Sequence, residues 1–144
     1  MKLAPHFVLE EFLVSQAGAR RGIDNTPPPD VVDNLRLLAS TLEIVREVLG
    51  HPIVITSGYR CPEINRLVGG SATSAHLEGL AADFTCPGYG TPLQVARTVA
   101  AMYRLRYDQI IHEFRAWVHL SVDPRSRMQR LTIDSTGTRQ GLLP

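Results

Sequence analysis

Only two cysteines occur in the chain, Cys61 and Cys86. That is too few for a disulfide framework, and they are too widely spaced for a thiolate zinc knuckle. They read as buried or half-buried free thiols, with a bridge or a metal role as the alternatives. No apolar run approaches the ~20 residues of a transmembrane helix, so no stable membrane insertion is expected. The opening MKLAPHFVLEEFLV has no uninterrupted signal-peptide core: Glu10 and Glu11 break it, and no small-residue cleavage site follows. The expectation is synthesis in the cytoplasm without a signal peptide. Dense basic windows are also missing. Net charge is +1, and Arg104 and Arg106 beside Tyr103 and Tyr107 read as a solvated face, which argues against a nucleic-acid partner. There is no internal repeat and no low-complexity tract. The 144 residues, 44% hydrophobic and 20% charged, are ordinary for one globular domain with a real core, and a monomer is the default.

Along the chain, Phe7, Leu9, Phe12 and Leu13 interleaved with Glu10 and Glu11 predict a short amphipathic helix. GIDNTPPPD is a rigid linker in which three prolines prevent helix. From Asp30, the series Val32, Leu35, Leu38, Ala39, Leu42, Val45, Leu49 has helical period, and Gly50 is its stop. Residues 53–56 are β-branched and predict a buried strand, residues 62–68 a short helix, and GGSATS a flexible loop. GLAADFTC reads as a second strand. Thr91 and Pro92 open a helix expected to run to about Leu105. YDQIIHE and WVHLSV form two strands with a tight connection at Arg115 and Ala116. The tail adds one strand-like piece at RLTID before fraying. The expected fold is α+β, an antiparallel sheet with flanking helices, in one domain spanning 1–144. Within it, residues 1–50 are expected to form a helical N-terminal region, residues 51–123 the core that carries the motifs described next, and residues 124–144 a C-terminal tail.

Within SAHLEGLAAD, His76 and Asp83 stand seven residues apart. Imidazole nitrogen and carboxylate oxygen are both zinc ligands, and a catalytic zinc commonly takes three protein ligands. A turn at Gly79 would fold the two toward one point. His119 in WVHLSV supplies a third donor, since Val118 and Leu120 should face the other side of that strand. Taken alone, these residues leave a second reading open: a hydrogen-bonded His76, a capping Asp83 and a satisfied core His119. The helical H-E-x-x-H signature is absent, because His112 and His119 are seven apart. A serine hydrolase through Ser71 or Ser74 is weak, since GGSATS lacks the G-x-S-x-G elbow.

SGYRCPEINRLVGGSATSAHLEGLAADF followed by WVHLS resembles the zinc D-Ala-D-Ala carboxypeptidase family of peptidoglycan peptidases. That family includes phage endolysin-like L-alanyl-D-glutamate endopeptidases, D,D-dipeptidases and the related hedgehog domain. The hallmark S-x-H-x-x-G-x-A-x-D is met at Ser74, His76, Gly79, Ala81 and Asp83. The resemblance implies a hedgehog/DD-peptidase-like fold, Zn2+ as cofactor, and His76, Asp83 and His119 as its ligands. It implies that Arg60 holds a substrate carbonyl or carboxylate, with Tyr59 beside it. Ser74 either supports the site by a hydrogen bond or caps its loop, and His112 either contacts the reaction's oxyanion or is a plain strand residue. The substrates it implies are peptidoglycan stem peptides. Such an enzyme would reach the wall through a lysis system or on a phage particle.

One position departs from the family pattern. Many members carry the general-base acid three residues before the last His, where this chain has Ala116. The nearest acid is Glu113, six residues before His119, and Glu113 is therefore the expected base. The missing acid also supports the rival reading, a catalytically inactive zinc-binding module acting through protein or cell-wall contacts.

Overall fold

The computed structural model describes all 144 residues. The N-terminal arm is not the amphipathic helix that the sequence predicts. Pro5 interrupts it, and the chain forms a small antiparallel pair, β1 (Lys2–Ala4) and β2 (Phe7–Val8), then a 3₁₀ turn over Leu9–Phe12. Glu11 accepts from the Val8 N–H and closes this turn, while Phe7 and Phe12 are buried. A short helix, α1 (Gln16–Arg20), is capped by Ser15, whose Oγ accepts from the Gly18 N–H.

The long helix α2 (Pro29–Leu49) forms as its period predicts and ends at Gly50. In its first turn Val31, rather than Val32, is the buried residue. β3 (Val54–Ser57) is an edge strand and not the buried one expected: it pairs only with β4, and Val54 is half exposed. The short helix α3 (Pro62–Leu67) follows, then the 68–74 loop and a second 3₁₀ turn, Ala75–Glu78. β4 (Ala81–Thr85) leads to α4 (Pro92–Ala100), capped by Thr91 through a bond to the Gln94 N–H. α4 stops five residues before the expected Leu105. Arg130 donates to the Ala100 carbonyl at 2.8 Å, and Leu105 turns into the core.

β5 (Gln109–Glu113) and β6 (Trp117–Ser121) form the expected hairpin. The tail does not fray. β7 (Gln129–Asp134) and β8 (Gly137–Gln140) complete a six-stranded sheet of order β3-β4-β6-β5-β7-β8. Its pairs are antiparallel except β5 with β7, which run parallel. The last residues are tied down: the Leu143 N–H donates to Thr132 Oγ1, and Arg97 donates to the Leu142 carbonyl. Alternation along the central strands sorts the sheet's two faces. Phe84, Val118, Leu120 and Ile110 join α2 and α4 in the core, while Asp83, His119 and Glu113 face the opposite side. No helix is long and apolar enough to cross a membrane, and both cysteines are free, Cys86 buried and Cys61 half-buried.

The crossover from β6 to β7 is fixed by a pair that sequence pattern did not reveal. Asp108, 1% exposed, accepts two side-chain bonds from Arg127, at 2.8 and 2.7 Å, and one from the Arg127 N–H at 3.0 Å. Those side-chain bonds are the main reason its carboxyl is held below the usual carboxylate range. Because the folded carboxyl is more acidic than the unfolded one, the pair stabilises above about pH 4. That contribution disappears as pH falls through the folded pKa. Asp108→Asn should therefore lower Tm at pH 7 by at least about 3 °C, with the difference from wild type shrinking in strongly acidic buffer. Thermal melts across pH check both expectations.

Candidate active site

The three candidate ligands come together on the open face of the sheet. Asp83 and His119 are directly paired across β4 and β6. Ser57 of β3 lies opposite Asp83 after a register irregularity that follows Ile55. His76 arrives from the 3₁₀ turn before β4, and Gly79 makes the reversal at φ +71°. A Cβ at Gly79 would also lie 2.8 Å from Val31 Cγ1, so the turn requires glycine on two counts.

Asp83 Oδ1 sits 3.2 Å from His76 Nε2 and 2.9 Å from His119 Nδ1. One ligand atom from each of the three residues lies within 4.8 Å of the others. All three side chains are buried. His76 Nδ1 donates to the Gly58 carbonyl at 2.7 Å, which fixes the ring's tautomer and leaves Nε2 as the free donor atom toward Asp83. Gly58 is itself held close to the arm, since a Cβ there would meet the Phe12 carbonyl oxygen at 2.6 Å. Two imidazoles and one carboxylate, with one imidazole oriented by a main-chain carbonyl, fit a zinc ion's preference for N and O donors.

The protonation tendencies follow from burial and mutual contact. Burial pushes the His76 pKa down, favouring the neutral ring that a ligand needs. Burial alone would raise the Asp83 pKa, but the bond donated by His119 is the main influence that outweighs it and holds the carboxyl well below its usual range. For His119, burial lowers the pKa, yet the Asp83 bond and the charges of Asp83 and Glu113 leave it raised overall.

Glu113 reaches the same place by a different route. In the β5–β6 register it pairs with Trp117, and His119 is the next residue on that face of β6. Glu113 Oε1 lies 3.8 Å from His119 Nδ1, and Trp117 Nε1 donates to Oε2 at 3.2 Å. Burial is the main reason its pKa is raised. The hairpin turn carries Phe114 and Arg115 at φ 52° and 57°, left-handed values that cost a non-glycine residue about 1 kcal/mol each. Ala116 lies in this turn. An acid contributed across the hairpin thus stands beside His119 although the acid-x-x-His spacing is absent.

Arg60 completes the cleft, whose volume is about 980 Å³. Its Nη2 donates to Ser74 Oγ at 3.2 Å, and its buried Nε–H has no partner within the protein. Ser74 Oγ also accepts from the His76 N–H, so this hydroxyl both caps the turn and braces Arg60. Ser71 Oγ pairs with Thr73, and Ser74 with Arg60, so neither serine is bonded to an imidazole as a serine hydrolase requires.

Two expected site residues lie elsewhere. Tyr59 is a core residue, 5% exposed, and burial raises its phenol pKa. His112 is on the other face of β5 from Glu113, with its Nδ1 donating to the Leu143 carbonyl at 2.9 Å. Strand alternation turns it away from the cleft, which leaves it a plain strand residue of the sheet's other face.

A buried N,N,O donor set on the floor of an open cleft, with an acid and a guanidinium beside it, is the equipment of a metal-dependent hydrolase. The family model described as Peptidase M15 matches residues 5–121, and the chain belongs to that family of metallopeptidases. No curated protein matches the sequence significantly.

Removing any one of these three candidate ligands should cripple metal binding. Asp83→Ala and His119→Ala should each weaken zinc affinity by more than about 100-fold, as read by competition with a chelating dye. Wild-type affinity should fall as pH drops through the raised His119 pKa, because protons compete for the ligand atoms.

Proposed function

We propose that the protein is a zinc peptidase that hydrolyses amide bonds in the stem peptides of bacterial peptidoglycan, of D-Ala-D-Ala carboxypeptidase or L-Ala-D-Glu endopeptidase type. The observation that carries this reading is the convergence of Glu113 and Arg60 on the buried His76, Asp83 and His119 cluster, joined to the family match. Zinc held by those three residues would supply Lewis acidity, polarising a carbonyl and acidifying water.

The chain's own groups perform the remaining work. Glu113, with a pKa raised by burial, is suited to accept a proton from the attacking water and pass it to the departing amine. Arg60 offers a planar, permanently charged donor set to the substrate's carbonyl or carboxylate oxygen. Its Nη2 bond to Ser74 Oγ engages one of the guanidinium's five N–H groups and braces it at the cleft. Trp117 restrains Glu113 through its indole N–H.

Ala116 favours a rival, a zinc-binding module without turnover, and the same experiment separates the two. Defined muropeptides incubated with zinc-loaded protein should lose a terminal D-Ala, or separate between L-Ala and D-Glu, and a chelator should abolish the change in mass. Glu113→Ala should lower kcat by about 10²- to 10⁴-fold at equal zinc occupancy. Undiminished turnover would remove Glu113 from the mechanism. Intact stems with zinc bound would favour the non-catalytic module.

A further inference from the structure

Asn25 is a half-buried residue of the proline linker, between Asp24 and Thr26, which are both exposed. Asp24 Oδ1 accepts from both the N–H and the hydroxyl of Thr26, and Pro27 and Pro28 then lead the chain, extended at Pro28, into α2 at Pro29. In this setting the Asn25 amide reaches across the fold. Its Nδ2 donates to the Leu13 carbonyl and the Tyr59 carbonyl, each at 3.0 Å, and its Oδ1 accepts from the Cys61 N–H at 2.8 Å. Two acceptors and one donor permit only this orientation of the amide.

Tyr59 and Cys61 flank Arg60. With the Tyr59 N–H bonded to the Phe12 carbonyl and the Arg60 N–H to the His76 carbonyl, four main-chain groups around Arg60 are fixed. The Asn25 side chain supplies two of those four bonds. Arg60 carries a long side chain with several rotatable bonds, so the placement of its guanidinium depends on how firmly its backbone is anchored.

We propose that Asn25 is a positioning residue that fixes Arg60 in the cleft, making the N-terminal linker a component of the substrate-holding apparatus. This rests on the reading of Arg60 as the residue that holds substrate oxygen. Asn25→Asp is nearly isosteric and keeps the acceptor for the Cys61 N–H, but it sets carboxylate oxygen against the Leu13 and Tyr59 carbonyls. Asn25→Ala removes all three bonds.

The test is side-chain ¹H–¹⁵N NMR of arginine Nε–H groups in the zinc-loaded full chain. In both variants the Arg60 Nε–H signal should shift and exchange with solvent at least about tenfold faster. The Arg127 Nε–H, bonded to Asp108 and sharing no hydrogen bond with Asn25 or Arg60, should be unchanged, and zinc affinity should stay within about twofold. With a hydrolysable muropeptide, Asn25→Ala should lower kcat/KM about tenfold in wild type and less than about twofold in an Arg60→Ala background. An unaltered Arg60 signal, or equal losses in both backgrounds, would overturn the proposal. If Asn25→Ala fails to fold, Asn25→Asp carries the same NMR readout. Absence of muropeptide turnover in the wild type would defeat the peptidase reading, while the NMR result would still decide the role of Asn25.

Discussion

One carboxylate oxygen organises the site. Asp83 Oδ1 lies between His76 Nε2 and His119 Nδ1, and no Lys or Arg makes an ion pair with it. A carboxylate that is 8% exposed needs compensating donors or a cation, since an unpaired buried charge is among the costliest features a fold can carry. The surrounding structure is arranged to deliver those partners. The β4–β6 register sets His119 opposite Asp83, the Gly79 reversal returns His76, and the Gly58 carbonyl orients the His76 ring. The same arrangement gathers three donor atoms closely enough for one divalent ion.

The second requirement, an acid near that centre, is met by sheet geometry rather than by local spacing. A β-hairpin brings residues distant in sequence into diagonal contact, and Glu113 reaches His119 in this way across a turn at Phe114 and Arg115. Left-handed backbone at two non-glycine residues is the kind of local strain that accumulates beside functional sites. Arg60 is secured differently. Its own N–H is bonded to the His76 carbonyl and the neighbouring Tyr59 N–H to Phe12 of the N-terminal arm, so Arg60 and the His76 turn share one scaffold.

Where a pattern runs over many residues or a motif is dense, the sequence was readable. α2 follows from a seven-member apolar series, and the clustering of His76, Asp83 and His119 from the dense motif between Ser74 and Asp83 with one late histidine. Six residues from Phe7 to Phe12 fit a helix and a strand followed by a 3₁₀ turn equally well, and Pro5 together with Glu11 decided the outcome. The exposure of Val54 depends on β3 lying at the sheet edge, which no local pattern encodes. The parallel β5–β7 pair and the tethered tail rest on Asp108–Arg127 and Thr132–Leu143, contacts between single polar residues far apart in the chain. His112 and His119 look alike in sequence, and only strand register assigns them to opposite faces.

The proposed peptidase needs His76, Asp83 and His119 to hold one zinc ion on the floor of the cleft. Crystals grown with zinc and measured on both sides of the zinc absorption edge test it most directly. One strong anomalous peak is expected, at about 2.0–2.2 Å from His76 Nε2, His119 Nδ1 and an Asp83 carboxylate oxygen. A peak seated elsewhere, or the cluster unchanged and without zinc at saturating concentration, would contradict it.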